Sequence, residues 1–77
     1  MTNREKYEEV FRQAFEVSGE VEGLQYQAVT GWDSVGHMQL MAALEDAFAI
    51  EMEIDDIIDF SSFLKGTEIL AKYGVMI

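Results

Sequence analysis

The chain has 77 residues, of which 15 are Asp or Glu and 5 are Lys or Arg, so its formal net charge is −10. A surface this acidic repels nucleic-acid phosphates and anionic lipids, which argues against binding to either through a basic patch and favours basic protein partners. Yet 49% of the residues are hydrophobic, far too many for an acidic disordered tail. A chain this short supports a single small core, so we expect one compact domain spanning residues 1–77.

Residue types and segments that the chain lacks exclude further classes of protein. It has no Cys, so neither disulfide bonds nor thiolate metal sites are available. No apolar run reaches the roughly 18–20 residues of a membrane span. Residues 1–9 are charged and lack the apolar core of a signal peptide. We therefore expect a cytoplasmic protein with no membrane span, and we also expect it to be a monomer and to bind no nucleic acid.

The first predicted helix runs from about Asn3 to Val17. Thr2, followed three residues later by Glu5, fits a capping box at its start. Ser18 and Gly19 are the expected exit, because Gly tolerates the left-handed backbone of a helix end. The apolar positions recur at i, i+3, i+4, i+7 and i+8, which is one face of a helix: Tyr7, Val10, Phe11, Ala14 and Phe15.

Residues 20–32 show no sustained period and predict a long first loop. Three glycines punctuate the stretch from residue 19 to residue 31. Loops of this length are unusual in a compact domain and are often functional. We expect an ordered loop across a helical core, held by Leu24 and Val29, with Trp32 as a third candidate anchor.

A second predicted helix begins at Asp33 and Ser34 and ends near Ala49. Either of the first two side chains can accept a hydrogen bond from the free amides of the first turn. The segment is rich in Ala and Leu, which are good helix formers. Its apolar stripe comprises Val35, Met38, Met41, Ala42, Leu44 and Phe48.

Residues 50–54 alternate between apolar and acidic side chains, a pattern that on its own indicates a strand. No other segment alternates convincingly, so such a strand has no partner and we predict a loop. Asp55–Asp59 is predicted to form a short helix with acids at its positive end.

A last helix is predicted over Phe63–Tyr73, capped by Ser61 or Ser62 and ended by Gly74. Phe63, Leu70 and Tyr73 are expected to face inward. Gly66 is expected to weaken this helix by about 1 kcal/mol relative to Ala. The sequence thus predicts an all-α fold with three main helices, one short helix and a long first loop.

The acidic residues are unevenly distributed. No Lys or Arg occurs between Arg12 and Lys65, and this interval includes Ser34. Most acidic runs are merely solvated, but a surface of one sign around a reactive group would steer basic partners. The interval carries eleven acids: Glu16, Glu20, Glu22, Asp33, Glu45, Asp46, Glu51, Glu53, Asp55, Asp56 and Asp59.

Ser34 lies at a predicted helix start, where most serines are simply caps. The same position suits modification, because a helix start favours a phosphate attached there. Asp33 and His37 suggest a hydrolase triad, but the nucleophile elbow needs a Gly at position 32 and a strand before it, and the chain has Trp32 and no strand. We therefore reject that reading and expect His37 to be a surface residue.

The cluster of Asp55, Asp56 and Asp59 is the remaining candidate for metal binding. It lacks the Gly and the terminal Glu of an EF-hand loop. We therefore predict no structural metal site.

The segment Gly31–Glu51 resembles the acyl carrier protein family. The family signature is Asp-Ser-Leu, an amphipathic helix ending in acids, and then Phe-Gly-Ile; here Val35 stands for the Leu and Ala49 for the Gly. The later Asp55–Asp56 and Phe60–Phe63 segments are also similar to the family's third helix and the start of its fourth. The resemblance covers nearly the whole chain, in order and at the expected spacing.

This resemblance implies a four-helix, acyl-carrier-like bundle and a function. Ser34 would be the residue to which a phosphopantetheinyl transferase attaches 4′-phosphopantetheine from coenzyme A, and Asp33 would orient the serine region or assist the transferase. The terminal thiol of that arm would hold acyl or aminoacyl groups as thioesters. The protein would then be a shuttle and not an enzyme, presenting a tethered intermediate at high effective concentration.

The implied partners are enzymes that load, elongate or transfer acyl or aminoacyl groups and that carry basic docking patches. Residues 32–37 look more like carriers of specialised pathways, such as polyketide, nonribosomal peptide or surface-saccharide synthesis, than like the fatty-acid carrier; Gly36, Gln39 and Leu40 are similar to D-alanyl carriers. An acidic helical interaction module that keeps the fold without the arm remains the alternative. By position, the resemblance implies eight partner-facing residues: Val35, Met38, Met41, Glu45, Asp46, Asp55, Asp56 and Asp59.

Overall fold

The computed structural model describes all residues, 1–77, and contains four helices. These are α1 (Asn3–Phe15), α2 (Ser34–Phe48), α3 (Ile54–Asp59) and α4 (Phe63–Ala71). There is no sheet, and a single isolated bridge joins Gln25 to Ser62. The structure therefore confirms the predicted all-α class, with three main helices, one short helix and a long first loop.

Helix α1 begins with the predicted capping box. The Thr2 hydroxyl accepts a hydrogen bond from the Glu5 amide at 3.1 Å, and the Glu5 carboxylate accepts one from the Thr2 amide at 2.9 Å. The predicted end at Val17 is two residues too late. Glu16 already adopts left-handed backbone with φ 53°, and the Val17 amide bonds back to the Arg12 carbonyl at 3.1 Å, a C-terminal turn that ends the helix before Ser18.

The core is built largely from aromatic rings. Tyr7 and Phe11 of α1 lie 4.6 and 5.0 Å from the Phe63 ring of α4, centroid to centroid. Trp32 from the first loop lies 5.6 Å from Phe11 and 5.1 Å from Phe15. Such pairs add about 0.5–1.5 kcal/mol beyond the area they bury, so aromatic contacts join α1, α4 and the first loop.

Trp32 and Val21 are the main anchors of the first loop. Both are fully buried, whereas the expected anchors Leu24 and Val29 are only half-buried. Backbone hydrogen bonds of 2.9 Å join the Tyr26 amide to the Ser61 carbonyl, and the Phe63 amide to the Leu24 carbonyl. The loop therefore lies along the segment that precedes α4.

Gly66 is required by packing, which the sequence did not predict. A Cβ at this position would lie 2.1 Å from the Tyr7 hydroxyl and 2.1 Å from the Phe60 ring. The Tyr7 hydroxyl donates to the Phe63 carbonyl at 2.7 Å, and burial raises the pKa of Tyr7. The expected weak point of α4 is thus a place where a side chain of α1 packs directly against the α4 backbone.

The remaining boundaries lie close to their predicted positions. Residues 50–53 form a loop, as predicted, and α3 begins at Ile54, one residue early. The Ser62 hydroxyl caps α4 by accepting from the Lys65 amide at 2.9 Å. Helix α4 ends at Ala71, so Tyr73 lies beyond it and is half-buried, while the inward positions of Phe63 and Leu70 are confirmed.

Candidate functional site

Ser34 is the first residue of α2, and Asp33 supplies the cap. The Asp33 carboxylate accepts a hydrogen bond from the Gly36 amide at 2.8 Å. Of the two capping residues that the sequence allowed, the structure uses Asp33. The exposed Ser34 hydroxyl is therefore not needed as the helix cap, and it lies at the positive end of the helix dipole.

Gly36 fixes the approach of the first loop to this turn. A Cβ on Gly36 would lie 1.7 Å from the Gly31 carbonyl oxygen, and Gly31 itself has a φ of 97°. Gly31 and Gly36 thus allow two backbone segments to contact each other beside Ser34. The sequence contained one signal of this contact: Gly36 lies in the first turn of a predicted helix, although Gly has a low helix propensity.

A groove of about 350 Å³ adjoins Ser34. It lies between the first turns of α2 and the α3 segment, and most of its lining is apolar. The residues that line it besides Ser34 are Tyr26, His37, Met38, Ile57, Ile58, Phe60 and Ser61.

His37 is a structural bridge and not the surface residue expected from the sequence. The Trp32 indole N–H donates to its Nδ1 at 2.9 Å, and its Nε2 lies 2.7 Å from the Ile57 carbonyl oxygen. Because an indole nitrogen can only donate, Nδ1 must accept, and Nε2 carries the proton that bonds Ile57. Both nitrogens are occupied, so neither is free to act as a base on Ser34.

Five of the eight partner-facing residues inferred from the resemblance are exposed. Val35 and Met38 are 66% and 53% exposed on α2, although they are apolar. The other three are the acids Asp46, Asp55 and Asp59. Ile54 and Ile58 of α3 are also exposed apolar side chains, but the set inferred from the resemblance does not include them. Their i, i+4 spacing, which puts them on one face of a helix, was visible in the sequence.

The structure corrects the other three residues of that set. Met41 is only 1% exposed, because it lies with Leu40 and Leu44 on the buried face of α2. Glu45 is half-buried, and its carboxylate accepts from the Met52 amide at 2.8 Å, so it holds the loop after α2. Asp56 is buried and bonded to Lys72 and Tyr73. None of the three presents a free side chain to a partner.

Asp56 also differs electrostatically from the other acids of its cluster. Hydrogen bonds from Lys72 and then Tyr73 hold the pKa of the Asp56 carboxyl below its ordinary value. No group of three or more His, Asp or Glu side chains is arranged to hold a metal ion. None of the four helices combines the length and the hydrophobicity that a membrane span requires.

A solved structure shares this architecture. It is a protein from Mycobacterium tuberculosis described as a candidate acyl carrier protein, with a TM-score of 0.82 over 94% of this chain and 99% of that one, at 18% sequence identity. The chain has an acyl-carrier-like fold. No protein-family model matches the sequence. No curated protein matches it either.

Proposed function

We propose that the chain is a carrier domain, over residues 1–77, whose Ser34 receives a 4′-phosphopantetheine arm. The observation that carries the proposal is the position of Ser34, which is exposed at the first turn of α2, with capping assigned to Asp33. The acyl-carrier-like fold and the sequence around Ser34 support the same function. The protein would act as a shuttle between enzymes and not as an enzyme.

The residues around Ser34 fit such a group. The attached phosphate would lie at the start of α2, where the helix dipole favours negative charge. The thiol of the arm, when present, supplies the thioester-forming group to a chain that has no Cys. An apolar acyl chain would find the groove lined by Met38, Ile57 and Phe60 next to the attachment serine.

The partners we propose are the transferase and enzymes that load, elongate or transfer acyl or aminoacyl groups in a specialised pathway. Their docking surface on this chain combines the exposed apolar side chains Val35 and Met38 with the acids Asp46, Asp55 and Asp59. Exposed acids on the same two helices as exposed apolar side chains suit a partner that combines an apolar contact with Lys and Arg, because complementary charges speed encounter and fix orientation.

The test is incubation with coenzyme A and a broad-specificity phosphopantetheinyl transferase, followed by intact mass. We expect a gain of one phosphopantetheine in the wild type and in Ser18→Ala, which removes an exposed serine of the first loop. Ser34→Ala should show no gain. Absence of any adduct with several transferases would favour the alternative, an acidic interaction module that keeps the fold without the arm.

A further inference from the structure

Helix α3 contributes only one partly buried apolar side chain, Ile57, to the packing against the core, and several polar contacts attach it as well. It has six residues, too few to be stable in water alone. Ile54 and Ile58 are 68% and 72% exposed, and Ile57 is only half-buried. The one side chain of the helix that is buried is the Asp56 carboxylate. Apolar burial therefore holds α3 less firmly than it holds α1, α2 and α4.

Three residues connect α3 to the end of α4. The Asp56 carboxylate accepts one hydrogen bond from the Lys72 ammonium and another, at 2.5 Å, from the Tyr73 hydroxyl. That hydroxyl accepts from the Glu53 amide at 2.9 Å, at the start of α3, where the Glu53 side chain provides no cap. We call Asp56, Lys72 and Tyr73 the α3 latch.

On its other side, α3 is attached to α2. His37 Nε2 donates to the Ile57 carbonyl at 2.7 Å. The fully buried apolar core contains side chains of α1, α2, α4 and the loops, but none from α3. Ile57 packs against this core but is only partly buried, so a displacement of α3 would break that contact without exposing a fully buried apolar side chain of α3.

We propose that the α3 latch controls the opening of the groove beside Ser34. Ile57 and Ile58 of α3 line this groove, whereas Ser34 and Met38 line it from α2. While Lys72 and Tyr73 hold Asp56, the groove keeps the dimensions seen here. When they release it, α3 moves away and the groove opens to solvent. The use of this opening rests on the proposed carrier function, in which the groove adjoins the attachment serine.

Amide hydrogen exchange tests the latch. Asp56→Asn removes the charge with little change in size, and Tyr73→Phe removes one hydroxyl. We expect the amides of residues 57–60 to exchange roughly tenfold faster in Asp56→Asn, the effect of losing a charge-assisted hydrogen bond, and less so in Tyr73→Phe. Exchange in α3 should also depend only weakly on urea, as expected for a local opening, whereas the slowest amides of α1 and α2 exchange by global unfolding and should depend on urea steeply. The control Glu8→Gln, the same chemical change on α1, should leave α3 as in the wild type.

Two results would overturn the proposal. One is unchanged exchange in α3, which would mean that the latch does not hold it. The other is an equally steep urea dependence of exchange in every helix, which would mean that α3 opens only when the whole molecule unfolds. If Asp56→Asn does not fold, Tyr73→Phe decides by the same criteria. The experiment uses the chain without an arm, so its outcome is independent of whether Ser34 is modified.

Discussion

Gly36 lets the first loop lie directly against the first turn of α2. An alanine methyl there would overlap the Gly31 carbonyl oxygen, a backbone atom that cannot rotate away. We expect Gly36→Ala to lower the free energy of unfolding by about 1–3 kcal/mol, the usual cost of overpacking. Urea denaturation followed by the fluorescence of Trp32, the single tryptophan, measures this.

The matched control is Gly23→Ala, in the same loop. Nothing lies within 4 Å of the added methyl, and Gly23 does not have a positive φ. Alanine there should be neutral, or should stabilise by about 0.4–1 kcal/mol by restricting the unfolded chain. Equal losses in the two variants would show that the contact with Gly31 is not the cause.

His37 supplies the hydrogen-bond acceptor for the Trp32 indole. We expect His37→Leu to leave that N–H unpaired and to lower the free energy of unfolding by about 1–3 kcal/mol. It should also change the emission of Trp32. His37→Gln can both accept and donate, so it should retain part of the stability. If the His37→Leu and His37→Gln variants have the same free energy of unfolding, the hydrogen bonds of His37 contribute little to stability.

At the scale of elements, the polar attachment of α3 gives a distinct pH dependence. The pKa of Asp56 is lowered in the folded state, so the ionised Asp56 carboxylate stabilises the fold. This stabilisation is fully present above pH 3.8, the ordinary pKa of Asp, and is lost as the pH falls toward the lower pKa of the folded state. The pKa of Lys72 is raised, mainly by Asp56, so its contribution is complete below 10.5 and is lost as pH rises further. Glu53 and Asp59 are the other charged groups that influence Lys72 or Tyr73.

We therefore expect wild type to be more stable than Asp56→Asn across neutral pH. The difference in free energy of unfolding should shrink below about pH 4. Urea melts of both proteins between pH 3 and pH 8 measure this difference. Both proteins share the other carboxylates, so the contribution of those groups to the pH dependence cancels in the difference. A difference that stays constant down to pH 3 would contradict the account of Asp56.

Periodicity and capping signals predicted which segments are helical, because these features are local. Thr2 with Glu5 and the stripe from Tyr7 to Phe15 needed no knowledge of the rest of the chain. The roles of Asp56 and His37 were not predictable in this way, because their partners are distant in sequence: Lys72 for Asp56, and Ile57 for His37. The predicted apolar stripe of α2 was only partly right: Met41 and Leu44 are buried, but Val35, Met38 and Ala42 are exposed, and Leu40, which was not assigned to the stripe, is buried.

At the scale of the whole molecule, we expect the distribution of the −10 charge to matter more than its total. Asp46 of α2 and Glu68 of α4 are both exposed acids, but only Asp46 belongs to the proposed docking surface. We expect Asp46→Lys to raise the transferase KM for this chain several-fold with little effect on kcat, and the rise to diminish at high salt. Glu68→Lys makes the same change in net charge and should have a much smaller effect. Equal effects would mean that net charge alone matters.

The most direct test of the central claim is to locate the modification by fragment-ion mass spectrometry after transferase treatment. Because no Lys or Arg lies between Arg12 and Lys65, trypsin releases Ser34 in one peptide, residues 13–65, together with Ser18, Ser61 and Ser62. The account predicts that every fragment containing Ser34 carries the phosphopantetheine mass and that fragments holding only the other three serines do not. An adduct on another residue, or an unmodified peptide, would contradict it.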